Sequence, residues 1–113
     1  MNKRREERQQ VVLPARCRTR SGFRDEGIIS DITSEGCRYE SHSVHLSVGD
    51  MVVIKPDGLE GLCGRIRWVE RQSAGIVFET PLYGAVLDHL VRTHSQFLKP
   101  SDSRFNATLR FVA

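Results

Sequence analysis

The sequence predicts an all-β domain finished by one C-terminal helix. Three observations predict it: short runs that alternate apolar with polar residues, turn signals between those runs, and one change of period near residue 80. The chain has 113 residues, 39% of them hydrophobic and 27% charged. That suits a single domain with a single core and excludes wholesale disorder.

The elements follow in order. Val11 to Arg20 reads as a strand, with Val11, Leu13, Ala15 and Cys17 on one parity and Arg16, Arg18 and Arg20 on the other. Ser21-Gly22 is a turn. Gly27 to Ile32, with Ile28, Ile29 and Ile32, is a second strand. Thr33-Ser34-Glu35-Gly36 is a turn whose glycine is free to take a positive φ. Cys37 and Tyr39, alternating with Arg38 and Glu40, make a short third strand. Val48-Gly49-Asp50 turns into Met51-Val52-Val53-Ile54, a continuous apolar run suited to burial on both faces. Pro56-Asp57-Gly58 is a further turn. In Leu62 to Val69, the residues Leu62, Gly64, Ile66 and Trp68 share one face, and Arg65 and Arg67 the other. Ser73-Ala74-Gly75 leads into Ile76-Val77-Phe78, the last core strand. Six short strands with frequent turns suit a barrel or a sandwich.

The period then changes. Thr80 is a good N-cap and Pro81 a good first helical residue. Tyr83, Val86, Leu87, Leu90, Val91, His94, Phe97 and Leu98 form one apolar stripe on a helix of about four turns. Lys99-Pro100 breaks it. The tail, residues 99–113, alternates Phe105, Ala107, Leu109 and Phe111 with polar residues, which fits an added strand, a segment that pairs with a partner, or disorder.

Charge is uneven. Residues 1–20 carry a net +5 and the remainder a net −2, and 14 of the 17 basic residues are Arg. Arg presents a planar fork of donors that matches phosphate oxygens and the O6/N7 edge of guanine. No apolar run approaches the roughly 20 residues that cross a bilayer, so membrane insertion is not expected. The start, MNKRREERQQ, has no apolar stretch behind its charge and does not read as a secretory signal. Three cysteines without close spacing argue against a disulfide scaffold and fit a reducing, cytoplasmic setting.

Familiar catalytic patterns are missing. There is no P-loop and no G-x-S-x-G nucleophile elbow. Gly58, Gly61 and Gly64 flank a hairpin. His89 and His94 project about 140° apart on a helix and do not chelate as an i, i+4 pair does. His42 and His45 have no cysteine pair nearby. Neither a metal site nor an enzyme is expected.

Two short patterns occur together: Arg4-x-x-x-Arg8, with Arg5 between, and Asp31-Ile32-Thr33-Ser34-Glu35-Gly36, a D-x-[S/T]-x-x-G turn between strands. Their order and strand context resemble the PilZ domain, the bacterial receptor module for cyclic di-GMP. Leu13-Pro14, Val48-Gly49-Asp50, Gly64-Arg65-Ile66-Arg67-Trp68-Val69 and Gly75-Ile76-Val77-Phe78 resemble that family's framework, and the likeness covers about residues 3–92. Thr33 stands where the family usually has Ser or Ala, and Glu35 where it often has Gly.

The resemblance implies a six-stranded antiparallel β-barrel flanked by an α-helix over residues 1–98, with a mobile arm at about residues 1–10. It implies a cyclic di-GMP site at Arg4, Arg5, Arg8, Asp31, Thr33 and Gly36, with Trp68 a candidate for base stacking. It implies no cofactor besides that ligand, and an unidentified effector protein to which the signal is relayed. Two other readings stand beside it: a ligand-independent PilZ-like adaptor, and a small-barrel nucleic-acid binder. The second is the weaker, because aromatic stacking platforms among the basic residues are sparse.

Overall fold

The computed structural model describes residues 8–41 and 46–95. Six strands and one helix follow in order: β1 (Gln9–Thr19), β2 (Arg24–Ile32), β3 (Gly36–Glu40), β4 (Met51–Pro56), β5 (Leu62–Glu70), β6 (Ser73–Phe78) and α1 (Gly84–His94). The strands close into a barrel in the order β1-β2-β3-β6-β5-β4, every pairing antiparallel. Closure leaves few unpaired edges. Arg4, Arg5, His42, His45 and the tail 99–113 lie outside the described residues. No helix among the described residues is long and apolar enough to cross a membrane.

Alternation fills the barrel. Leu13, Ile29, Ile54, Ile66 and Ile76 are almost fully buried, each from the inward parity of its strand, and Ile32 joins them. One polar pair joins them. The Tyr39 hydroxyl donates to Asp25 Oδ2 at 2.8 Å, so a buried carboxylate and a buried phenol satisfy each other. Burial, with the Asp25 hydrogen bond and charge behind it, pushes the phenol far above its ordinary range. The hydroxyl therefore keeps the proton it donates.

Several expectations need correction. β1 starts at Gln9, so residues 9 and 10 of the expected arm belong to a strand and pair with Ile32 and Asp31. The run Met51–Ile54 is not buried on both faces. Val52 and Ile54 point inward, while Met51 and Val53 are half-exposed, so the strand alternates like its neighbours. The helix begins at Gly84 with Tyr83 as its N-cap, not at Thr80. Phe78 and Leu82 donate their amides to the carbonyls of Glu35 and Ser34, and these bonds hold the chain extended against the β2–β3 turn. The first turn then closes with Leu87 N–H bonded to the Tyr83 carbonyl. The described helix is 11 residues, about three turns. Leu90 is its buried anchor, flanked by Val86, Leu87 and Val91, and Tyr83 is 82% exposed, off the stripe.

The fold sorts the three thiols. Cys17 is buried and pushed up to about 12 by that burial, with the Asp25 charge adding to it. Burial likewise raises Cys37, and Cys63 is exposed. At pH 8 a thiol reagent should label one cysteine of the native protein rapidly and all three after denaturation. Mass mapping should place the fast label on Cys63.

His94, at the end of α1, is held below its ordinary value by burial. Asp57 opposes that shift and His89 adds to it. A depressed histidine binds its proton better in the unfolded chain. Its contribution to stability is therefore complete above the unfolded value of 6.5 and lost as pH falls below it. The melting temperature should drop between pH 7.5 and 5.5 by more in the wild type than in His94→Gln.

Candidate functional site

Two β-bulges make the site. Along β2, Asp25 and Ile29 point inward, so strict alternation would also send Asp31 into the core. The β2–β3 register shifts between Ile29 and Asp31, where Ser30 is the extra residue. Ser30 and Asp31 consequently both face out, and Ile32 returns to the core. The same event occurs on β5. Its register with β6 shifts between Ile66 and Trp68, where Arg67 is extra, so Trp68 turns outward and Val69 packs against the core. This corrects the expectation that Trp68 shares a face with Leu62, Gly64 and Ile66.

The two bulges bring their residues to one level. Gln10 pairs with Asp31, Asp31 with Arg38, Arg38 with Gly75, and Gly75 with Trp68. Asp31, Arg38 and Trp68 therefore lie in one row across the outside of the barrel. Gly75 has no side chain to separate its neighbours: a Cβ there would run into the Trp68 indole. The Arg38 guanidinium sits over the Trp68 ring, 5.5 Å from its centroid.

Arg8 reaches this row from the segment before β1. Its Nη1 lies 3.4 Å from Asp31 Oδ2, with Arg8 61% and Asp31 17% exposed. Arg38 is also engaged: Nη2 donates to Ser73 Oγ at 3.4 Å, and Nε lies 3.4 Å from Glu40 Oε2. That Nε–H is not directed at the carboxylate, so it is a buried donor without a hydrogen-bond acceptor. Glu40 accepts instead from Ser30 Oγ at 2.9 Å.

The turn motif is a support. Thr33 N–H donates to the Gly36 carbonyl at 2.8 Å, and Thr33 Oγ1 accepts from the amides of Glu35 and Gly36 at 3.0 and 3.2 Å. The Thr33 hydroxyl thus holds the corner that follows Asp31. Gly36 does not use the positive φ expected of it; the positive-φ glycines are Gly22, Gly49 and Gly58. Its need is close approach, since a Cβ would meet the Ile76 carbonyl across β3 and β6.

Of the residues singled out from sequence, Arg8, Asp31 and Trp68 are thus on one surface, and Thr33 and Gly36 build the turn beside them. Arg38 is the member the sequence reading passed over. Its signal was present in the alternation of Arg38 and Glu40 with the buried Cys37 and Tyr39, directly after the turn motif. A concavity of about 690 Å³ lies beside this row and not on it. Ser30 and Glu40 line it, whereas Arg8, Asp31 and Trp68 do not. The row outweighs the groove as a candidate site because it alone joins guanidinium, carboxylate and aromatic ring.

The chemistry available is recognition. Two guanidinium groups offer donors to anionic oxygens, Asp31 is an acceptor-only group, and Trp68 is a flat ring. No three His, Cys, Asp or Glu side chains gather into a metal site among the described residues. No protein-family model matches this chain, and no curated protein matches it.

Trp68 is the sole tryptophan, so its emission reports this surface. Gly75→Ala should displace the indole, shift the emission to longer wavelength and lower the melting temperature. Gly84→Ala, where a Cβ meets nothing within 4 Å, should leave the emission unchanged.

Proposed function

We propose that the chain is a non-enzymatic, PilZ-type receptor for cyclic di-GMP, a nucleotide with two phosphates and two guanines. The observation that carries the reading is the approach of Arg8 to Asp31 at the bulged end of β2, 3.4 Å apart. It joins the end of the arginine-rich start to the acidic corner, which supports a reading drawn from the R-x-x-x-R and D-x-[S/T]-x-x-G patterns.

Asp31 suits the N1 and N2 donors of guanine. Adenine lacks that donor pair, and seating it would leave a desolvated carboxylate unpaired. Arg8 and Arg38 suit phosphate or the guanine O6/N7 edge, and Trp68 offers a stacking face. The Arg8–Asp31 pair must open to admit the ligand. An exposed ion pair contributes only about 0–1 kcal/mol, so opening it costs little. Ordering the start of the chain over the ligand costs roughly 1–2 kcal/mol per residue, which charge-assisted contacts of about 1.5–3 kcal/mol each can offset. An ordered start presents a partner with a different surface, which is how the receptor would relay its signal.

Isothermal titration with cyclic di-GMP should give saturable heat, and the ligand should change Trp68 emission. Arg8→Ala and Asp31→Ala should each weaken binding by roughly 10- to 150-fold, the loss of one charge-assisted contact. Circular dichroism and melting should stay close to wild type. No heat at high-micromolar protein rejects the reading, and loss of fold in these variants makes the two residues structural.

A further inference from the structure

The outside of β1 carries a second feature, at the end of the strand away from Asp31. Its outward residues there are Arg16, Arg18 and, just past the strand, Arg20, all exposed. Across β2, Arg18 pairs directly with Arg24. Across β4, Arg16 pairs directly with Lys55. Like charges facing one another across a sheet oppose folding. The one acidic neighbour in these rows is Glu26, 3.9 Å from Arg16, and both side chains are largely in solvent. Arg18, Arg20, Arg24 and Lys55 form no ion pair with any described residue. A cationic surface kept at a cost to the fold marks a binding face.

The surface has a direction. Towards the start of β1 the outward residues become apolar, Val12 and Pro14, with Ile28 beside them on β2. They floor the groove of about 690 Å³ that Arg16 and Lys55 also line. Among the described residues no aromatic ring lines that groove, so they offer stacked nucleic-acid bases no platform. An apolar floor running into arginines has instead the make-up of a protein interface. Glu26, Glu40 and Asp57 rim the groove, which steers acidic groups of a partner away from it and onto the arginine end. From Val12 to Arg20 the face is about 27 Å long, the reach of eight or nine extended residues.

We infer that the outer face of β1 from Val12 to Arg20 docks an extended acidic segment of a partner protein. Its apolar side chains lie over Val12, Pro14 and Ile28, and its carboxylates lie over Arg16, Arg18 and Arg24. This docking does not require the nucleotide, so it stands or falls separately from the reading above.

The test uses the full ¹⁵N-labelled chain without nucleotide. The probe is a labelled nine-residue peptide, leucine-rich in one half and glutamate-rich in the other. The controls are the same peptide with Lys for Glu, and a nine-nucleotide oligothymidylate. The acidic peptide should bind saturably, with amide shifts grouped in residues 12–28 and 53–55. Arg24→Glu should weaken it at least tenfold while raising the melting temperature by roughly 1–5 °C, because the like-charge pair becomes an opposite one. Arg8→Ala should leave peptide binding unchanged. Equal binding of the Lys peptide, tighter binding of the oligothymidylate, or full peptide binding by Arg24→Glu would overturn the inference.

Discussion

The parity reversal on β2 and β5 is the constraint on which the candidate site depends. A strand gives each side chain one of two sides, and a one-residue slip exchanges them. By the alternation of their own strands, Asp31 and Trp68 would enter the barrel. An ionised carboxylate there, with no partner, would be far too costly to keep. The extra residues Ser30 and Arg67 turn both outward at one level and return Ile32 and Val69 to the interior. The core and the surface row therefore both depend on these irregularities, and β1 follows with a register shift of its own between Gln10 and Leu13.

Close backbone approach does the rest. Between the bulged strands lies the β3–β6 pair, where Gly36 and Gly75 leave room that side chains would fill. Gly75 lets the indole lie flat across β6, and the indole carries the Arg38 guanidinium. Gly36 lets β3 leave the turn tightly against Ile76. Thr33 ties that turn from inside, which fixes the direction in which Asp31 is presented. Below the surface the Tyr39–Asp25 hydrogen bond joins β3 to β2, so the strand bearing Arg38 is anchored from the core as well.

Much of this was legible in the sequence because alternation reports burial wherever a strand is regular. All six strands and the helix were visible, and the Asp31–Gly36 turn fell where its residue types put it. What alternation cannot report is its own interruption. Nothing in Arg65-Ile66-Arg67-Trp68 distinguishes a regular strand from one with a bulge at Arg67. The choice is made by the neighbouring strand, where Gly75 leaves space for the ring. The helix start failed for a similar reason. Thr80-Pro81 has good local capping chemistry, but hydrogen bonds from Phe78 and Leu82 to the distant Glu35 and Ser34 carbonyls keep the chain extended. Met51–Ile54 read as doubly buried because hydrophobicity alone does not say which of its residues face the interior.

β1 links the two surfaces, with Arg8 and Gln10 beside Asp31 at one end and the arginine face at the other. We propose that Arg8, Asp31, Arg38 and Trp68 act as one recognition surface for a guanine dinucleotide. The most direct measurement is an amide and indole N–H titration with cyclic di-GMP. Perturbations should concentrate at Arg8–Gln10, Ser30–Arg38 and the Trp68 indole. A spectrum that stays unchanged at high-micromolar ligand, or one perturbed only at the Arg16–Arg24 end of the barrel, would contradict this reading.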